Sequence, residues 1–284
     1  MANMRAIRTR IKSIENTRQI TRSMRMVAAS KLRRTQETSR GLGEFAAAAR
    51  EMLARLTAGG RAFRCPLLRP HESGEKLCYV LFVGNRGLCG VYNSSLLKYL
   101  EEQAAGEGGG SLVVVGRWGR EQIAASGLPL LRRFDAVSDT PDGEDARELA
   151  AYLKELYLSG QADRIVLVYQ HFRSVLAQDP VRLTLLPMEA AEQKGEAPDV
   201  IFEPDAEALM EELSELVFQH TVYSVLLEAK TGEHAARMTA MTAASDNTDE
   251  LIQKLSLQLN HARQAAITTE ITEIVGGSAA LNHP

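Results

Sequence analysis

Residues 7–27 have the sequence IRTRIKSIENTRQITRSMRMV, in which apolar side chains recur three and four positions apart among basic ones. Residues at this spacing share one face of an α-helix, so the stretch predicts a long amphipathic helix. We expect the helix to run to about Leu56, where Gly59 and Gly60 can end it. The apolar members of the pattern are Ile7, Ile11, Ile14, Ile20, Met24 and Val27.

Proline placement divides the chain into three parts. All nine prolines lie from Pro66 onward, and none falls between Pro204 and Pro284, so both ends lack the residue that most strongly breaks helices. The predicted segments are an N-terminal coiled-coil helix over residues 1–60, a central domain over residues 75–200 and a C-terminal coiled-coil helix over residues 204–284.

The C-terminal segment is also predicted to be one long helix, ending at Val275 before Gly276 and Gly277. One apolar stripe is followed by a second, a little further round the helix. The first stripe contains Ile252, Leu255, Leu259, Ala262 and Ala266, and the second contains Ile267, Ile271 and Ile274. At 1.5 Å per residue the two terminal helices would be roughly 80 and 105 Å long, more than a compact domain of this size can bury.

Two long helices with such narrow apolar stripes are expected to pair as an antiparallel coiled coil. The charge pattern supports this orientation, because residues 5–40 contain eleven Lys or Arg against two acids, whereas residues 203–228 contain seven acids and no Lys or Arg. This pairing would place three basic residues near three acidic ones. They are Lys31, Arg33 and Arg34 on the first helix and Glu207, Glu211 and Glu215 on the last.

The central segment has a different pattern. Unbroken apolar runs near residues 77–83, 112–115 and 164–169 alternate with helical patterns. The helical patterns lie near residues 93–105, 118–126 and 144–158. This βαβ order predicts an α/β fold with a mostly parallel, Rossmann-like sheet.

A nucleotide site is the first alternative that this sheet raises, because Gly84, Gly87 and Gly90 follow the first strand, where a phosphate loop would lie. Their spacing is G-x-x-G-x-x-G, and the chain contains no G-K-[ST], so a turn with close backbone packing is favoured over a nucleotide-binding enzyme. Three cysteines without C-x-x-C and six scattered histidines predict no metal and no cofactor. The sequence likewise contains no G-x-S-x-G elbow, and we predict no catalytic residue.

The basic first helix raises two further alternatives. Clustered Lys and Arg fit phosphate neutralisation by a nucleic-acid-binding protein. No aromatic residue precedes Phe45, however, and the acidic tract offers a partner within the chain, so no nucleic-acid partner is predicted. An arginine-rich, acid-poor start is also typical of a mitochondrial presequence.

No apolar run reaches the ~20 residues that span a bilayer.

Several stretches resemble the gamma subunit of F-type ATP synthases, in the same order and along essentially the whole chain. Near the start, IRTRIKSIENTRQIT (residues 7–21) and MVAASK (residues 26–31) resemble the opening of that family, which places them in the mature protein. RGLCG (residues 86–90) is similar to its central motif. ARM (residues 236–238), SDN (residues 245–247) and ARQAAITTEITEIV (residues 262–275) are similar to its closing helix.

The resemblance implies a central rotor that is not itself an enzyme, since catalysis belongs to the beta subunit. The helix pair would enter a hexameric head of alpha and beta subunits. The α/β domain would meet the epsilon subunit and the membrane ring. The chain would couple proton or sodium flow to ATP synthesis as a peripheral protein on the cytoplasmic face of a bacterial plasma membrane, associated with the membrane only through the complex.

The resemblance also implies contact residues. Met24 and Cys89 match positions facing the lower lobes of beta, and Arg263 and Gln264 match a pair that engages a loop of beta. The positions tied to coupling are Arg237, Thr268, Glu270, Thr272 and Glu273, and the foot near the ring is Phe202 and Glu203. The chain departs from the family at Gly84 and Asn85, where Ser or Thr and then Asp are usual, and at His261, where Lys or Arg is usual.

Overall fold

The computed structural model describes residues 2–57, 65–71, 76–188 and 205–281. The chain forms two compact units, one made of Met1–Val27 with Met238–Pro284 and the other of Ala28–Arg237. The elements in chain order are α1 (Ala2–Thr57), a short 3-10 turn (Pro66–Leu68), β1 (Leu77–Phe82), α2 (Tyr92–Gly106), β2 (Ser111–Val115), α3 (Arg120–Ala125), β3 (Leu130–Phe134), α4 (Gly143–Leu158), β4 (Arg164–Phe172), β5 (Gln178–Leu186) and α5 (Ala206–Leu281).

The two terminal helices are as long as the proline map predicts. Helix α5 begins after Asp205, whose carboxylate accepts hydrogen bonds from the backbone N–H groups of Glu207 and Ala208 at 2.9 and 2.8 Å. The predicted end at Val275 is wrong, because α5 continues to Leu281. A glycine ends a helix when it takes the left-handed conformation, and neither Gly276 nor Gly277 does so. Each then only weakens the helix, by about 1 kcal/mol relative to alanine.

The central sheet has the strand order β3-β2-β1-β4-β5. The first four strands are parallel and β5 runs antiparallel to β4, which confirms the mostly parallel α/β prediction. Strands β3 and β5 were not predicted. Both are edge strands with mostly exposed or half-exposed side chains, and β5 contains Pro180, so neither has the unbroken apolar run of a central strand.

Each face of the sheet is covered by helices because side chains of a strand alternate between its two sides. Cys78, Val80 and Phe82 of β1 pack with α4 and with the part of α5 around Phe218 and Val222. The alternate residues of β1 pack instead with α2 and Ile123 of α3. The first half of α5 is therefore part of the core of the α/β unit.

Within the same unit, α1 and α5 run antiparallel. The Thr35 and Thr231 hydroxyls are 2.9 Å apart, while Leu53, further along α1, clusters with the earlier α5 residues Met210 and Val217. This register contradicts the predicted ion pairs, because it puts residues 31–35 near residue 231 and not near residues 207–215. Lys31 bonds Asp139, Arg33 bonds Glu37, and Glu215 bonds Lys154.

The unit made of the chain ends is a helix pair whose less exposed positions alternate in steps of three and four. On α1 they include Met4, Ile7, Ile11, Ile14, Arg18, Thr21 and Arg25, and on α5 they include Met241, Ser245, Thr248, Ile252, Leu255, Leu259, Ala262 and Ala266. This 3.5-residue period is that of a coiled coil. The predicted α5 stripe from Ile252 to Ala266 is thus the seam, whereas Ile20 and Val27 of α1 are 60% and 55% exposed and lie outside it.

The seam of this helix pair is polar near its middle. Thr21, Ser245 and Thr248 are buried there. Beside them Arg18 and Arg22 both donate to the Asp249 carboxylate, at 2.8 and 2.9 Å. Hydrogen bonds from Arg18 first, and then Arg22, lower the pKa of Asp249. Directional polar contacts of this kind specify register more than they add stability.

Candidate functional site

The loop after β1 lies at the switch point of the sheet. From β1 the chain passes through α2 to β2 on one side, whereas β4 pairs with β1 on the other side. Ligands of open α/β sheets bind in the crevice at such a point, outside the carboxyl ends of the strands. The side chains that occupy this crevice therefore show whether it has the character of a nucleotide site.

Helix α5 fills the crevice with a buried ionic cluster. The Glu233 carboxylate accepts hydrogen bonds from Lys230 Nζ at 2.9 Å and from Arg237 Nη2 at 2.7 Å. The side chains of Lys230, Glu233 and Arg237 are only 3%, 1% and 9% exposed. Burial alone would raise the pKa of Glu233, but the neighbouring Lys230 and Arg237 outweigh burial and lower it. We call these three residues the switch-point cluster.

The glycine loop packs directly against this cluster. Arg237 Nη2 donates to the carbonyl oxygens of Arg86 and Gly87 at 3.0 and 3.5 Å. A Cβ atom on Gly84 would lie 3.0 Å from the Glu233 carboxyl group, so the approach depends on glycine. The space beside the loop is thus filled by side chains of α5, and the Arg237 guanidinium is already bound to the loop carbonyl oxygens and to Glu233. The loop is a turn with close backbone packing, as its glycine spacing favoured.

Asp139, in the loop between β3 and α4, forms a second junction. Its carboxylate accepts hydrogen bonds from Lys31 Nζ at 2.5 Å and from Asn85 Nδ2 at 3.0 Å, while its carbonyl oxygen accepts one from His234 Nε2 at 2.7 Å. Burial would raise the pKa of Asp139, but the hydrogen bonds from Lys31 and Asn85 prevail and lower it. Residues of α1, of α5 and of two loops are therefore joined at one residue, Asp139.

Cys89 is buried in this loop and accepts a hydrogen bond from Asn93 Nδ2 at 3.3 Å. Burial raises the pKa of its thiol, which disfavours the reactive thiolate. Its neighbours Leu88 and Val91 are instead 63% and 76% exposed. A partner of this loop would therefore contact Leu88 and Val91 more readily than the Cys89 side chain.

The other residues that the resemblance implied lie in different surroundings. Arg237 points inward, as described above, and Met24 is half-buried in the unit made of the chain ends. The remaining α5 positions are exposed, namely Arg263, Gln264, Thr268, Glu270, Thr272 and Glu273. Phe202 and Glu203 lie outside the described residues. Of the whole set, the structure brings together Cys89 and Arg237.

Sequence reasoning missed Lys230, Glu233, Lys31 and Asp139 as members of a site. The spacing of three and four that joins Lys230, Glu233 and Arg237 was a signal, because it puts all three on one helix face. Such a face is ordinarily solvated, so the spacing alone does not indicate burial. Among the residues described, no group of three or more His, Cys, Asp or Glu side chains could hold a metal ion. In the same ranges, no helix combines the length and apolar character needed to cross a bilayer.

His234 makes the stability of this junction depend on pH. Its Nε2–H donates to Asp139, and its Nδ1 is buried without a hydrogen-bond partner among the residues described. Burial lowers the pKa of His234, so the folded chain holds it neutral. The unfolded chain takes up that proton near pH 6.5, so the free energy of unfolding should fall as pH drops below that value, by up to about 1.4 kcal/mol per pH unit.

We expect His234→Gln, which retains a donor, to flatten this pH dependence between pH 7.5 and 5.5. Urea unfolding of the full chain across that range measures it. His261→Gln, at an exposed position on the same helix, is the matched control and should leave the slope unchanged. An unaltered slope in His234→Gln would show that another group binds the proton.

Comparison with solved structures defines the class of this fold. The chain is similar to one from the rotor of the Euglena gracilis mitochondrial ATP synthase, with a TM-score of 0.65 and 21% identity over 94% of this chain and 99% of that one. It is also similar to a chain of the Tetrahymena thermophila central stalk and c-ring structure, with a TM-score of 0.56 and 22% identity over 80% and 99%. The fold of this chain, which consists of a helix-pair unit and an α/β unit whose core includes part of α5, is thus that of a central-stalk chain.

Sequence comparison identifies the family. A family model described as ATP synthase matches residues 3–281. The ATP synthase gamma chain of Desulforamulus reducens is 41% identical over 283 residues, covering 99% of this chain and 100% of the relative. That of Desulfitobacterium hafniense is 42% identical over 282 residues, with the same coverage. The chain belongs to the ATP synthase gamma chain family, the non-catalytic rotor subunit of F-type ATP synthases, which confirms the resemblance drawn from the sequence.

Proposed function

We propose that this chain turns with a membrane ring and carries the rotation into a hexameric head of alpha and beta subunits, where ATP is made. The observation that carries the proposal is the continuity of α5. One uninterrupted helix, Ala206–Leu281, is fixed in the core of the α/β unit at Phe218 and Val222 and exposes its side chains over residues 267–278. A continuous hydrogen-bonded helix is a stiff element through which torque can pass.

The exposed apolar side chains support a contact with the head. Ile20 and Val27 of α1 share a helix face with Met24, and Ile271 and Ile274 of α5 are 56% and 71% exposed. Apolar side chains that share a helix face and are exposed in the isolated chain are typical of a protein interface. The polar residues beside Ile271 and Ile274 would add hydrogen bonds to this contact. They are Arg263, Gln264, Thr268, Glu270, Thr272 and Glu273.

The α/β unit would meet the epsilon subunit and the ring, with Phe202 and Glu203 forming the foot. The sequence relatives come from bacteria, which supports a place at the cytoplasmic face of the plasma membrane, reached through the complex. The coupling ion would be a proton or sodium. Three basic residues of α1 have acidic partners inside the chain, Asp249 for Arg18 and Arg22 and Asp139 for Lys31, which weakens the argument for nucleic acid.

The mechanism follows from asymmetry. A rotor without three-fold symmetry presents a different surface to each catalytic site of a three-fold head, so each site has a different conformational bias, and rotation exchanges these biases. Moving a two-state site from 1:99 to 99:1 requires about 5.5 kcal/mol of differential interaction. Each proton that crosses 100 mV releases about 2.3 kcal/mol, so several protons per site suffice.

Co-expression with the alpha and beta subunits of the same organism tests this function. We expect the chain to co-purify with them in a stable complex that hydrolyses ATP. When the complex is joined to its membrane sector in vesicles, ATP should drive ion pumping. A chain that stays separate from alpha and beta under conditions where those two assemble would contradict the proposal.

A further inference from the structure

The switch-point cluster has more charge than stability requires. Lys230, Glu233 and Arg237 lie on successive turns of α5 with side chains at most 9% exposed. Removing charges from water is costly, and apolar side chains of similar volume often stabilise a core equally well. A buried cluster of two cations and one anion therefore points to a role that depends on charge and direction.

The cluster is positioned to hold the glycine loop. Arg237 donates to the carbonyl oxygens of Arg86 and Gly87, on the side of the loop that faces α5. On the other side, Gly84 N–H donates to the Asn93 side chain of α2 at 2.8 Å. Because Gly84, Gly87 and Gly90 have no side chains to interlock with a helix, directional hydrogen bonds to their backbone supply the connection.

The loop so held presents an apolar surface. Leu88 is 63% exposed with a positive φ of 61°, and Val91 is 76% exposed. A leucine in the left-handed region is strained unless its surroundings hold it there. Fixing the loop backbone at Arg86 and Gly87 therefore also fixes the direction in which Leu88 points.

We propose that Glu233 is a positioning residue of the rotor. Its carboxylate holds the Arg237 guanidinium against the loop carbonyls, so that the loop with Leu88 and Val91 turns rigidly with α5. The inference rests on the proposed rotor function and adds to it a residue that the resemblance did not indicate. It also gives Arg237 a different role, because this side chain acts inside the chain and not as a contact with the head.

The test uses the assembled ATP synthase in inverted membrane vesicles and measures ions pumped per ATP hydrolysed. Glu233→Gln keeps the shape of the side chain and removes its charge. We expect this variant to hydrolyse ATP but to pump about threefold fewer ions per ATP, since breaking a coupled side-chain network changes coupling by such factors. Glu215→Gln is the matched control, because Glu215 is also an acid of α5 but pairs with Lys154 of α4 at 2.6 Å. Its pumping ratio should equal that of the unaltered complex.

A double variant separates positioning from simple stabilisation. Glu233→Gln leaves two buried cations without an anion, and adding Lys230→Gln brings the net charge of the cluster back to that of the unaltered chain. We expect the double variant to recover the melting temperature of the complex but not the pumping ratio, because Arg237 still lacks its carboxylate. Where the single variant does not assemble, the double variant alone decides.

Two results would overturn the proposal. One is a normal pumping ratio in Glu233→Gln despite a lower melting temperature, and the other is recovery of both quantities in the double variant. Either would make Glu233 a stabilising residue only. Failure of the unaltered complex to assemble or pump would instead contradict the rotor function itself, so the two failures are distinguishable.

Discussion

Gly116→Ala is expected to lower the free energy of unfolding of the α/β unit by about 3 kcal/mol or more, the largest loss that a Gly→Ala change should produce among the glycines that the structure describes. Gly116 follows β2 with a φ of +116°, a conformation that L side chains rarely adopt. A Cβ atom there would lie 2.2 Å from the carbonyl oxygen of Val83. Because that oxygen belongs to the backbone, neither group can move without displacing a strand end.

The displacement would reach the candidate site. Val83 immediately precedes Gly84, and the Gly116 N–H donates to the Phe134 carbonyl oxygen at 3.0 Å, so a shift at residue 116 disturbs the ends of three neighbouring strands. Urea unfolding followed by fluorescence measures the effect. The single tryptophan of the chain, Trp118, donates its backbone N–H to the Gly84 carbonyl oxygen at 3.0 Å and is close to the change.

Gly87→Ala is the matched control. Gly87 lies in the loop after β1, has no positive φ, and would place its Cβ atom in open space. We expect Gly87→Ala to change the free energy of unfolding by at most about 1 kcal/mol, in either direction. Equal stability losses in the two variants would show that the close approach at Gly116 is relieved without strain.

The helices and strands predicted correctly are those whose local sequence pattern fits only one type of secondary structure. The runs at β1, β2 and β4 are apolar throughout because both faces of these strands are buried, and that signal is independent of neighbours. Strands β3 and β5 are covered on fewer sides, so their composition is mixed and resembles that of loops. The end of α1 and the start of α5 were predicted because the glycines and the proline that mark them act locally.

Register between distant elements was not predictable in the same way. The excess of basic residues on α1 and of acids on α5 correctly favoured an antiparallel helix pair, but many registers fit such an excess. Among the residues described, Arg18 and Arg22 pair with Asp249. Similarly, Ile20 and Val27 belong to a stripe with the same three and four spacing as the seam residues of α1, yet both are exposed. Only the partner helix decides which of two such stripes is buried.

The switch-point cluster lay beyond sequence reasoning for a physical reason. Charges three and four residues apart on a helix usually belong to a solvated face, where they contribute a few tenths of a kcal/mol. At Glu233 the same spacing is buried because Gly84 leaves room for the carboxylate. The cluster is buried because two segments about 150 residues apart in the sequence come into contact, as the hydrogen bond from Arg237 to the Gly87 carbonyl oxygen shows. Asn85, like Gly84, differs from the residue usual in the family. It also bonds to a residue distant in the sequence, because its Nδ2 donates to the Asp139 carboxylate.

Met24→Lys is expected to produce the largest loss of coupling, with ATP hydrolysis retained and ions pumped per ATP reduced about tenfold. Met24 is half-buried and shares a helix face with Ile20 and Val27, which are 60% and 55% exposed. If this face meets the head as proposed, a lysine ammonium there must be desolvated or find an anion, and burying an unpaired charge costs several kcal/mol. That is comparable with the roughly 5.5 kcal/mol that separates the two states of a catalytic site.

The effect must depend on the rotation angle to uncouple the rotor. A charge that is disfavoured equally against all three beta subunits would slow rotation without changing the pumping ratio. An interaction that is equal in both conformations of a catalytic site does not shift the equilibrium between them. Met26→Lys is the matched control, since Met26 is two residues away, is 62% exposed and lies on another face of α1. Its pumping ratio should stay within about twofold of the unaltered complex. An unchanged ratio in Met24→Lys would place the contact with beta elsewhere on the rotor, and equal losses in both variants would assign the effect to the charge of the helix as a whole.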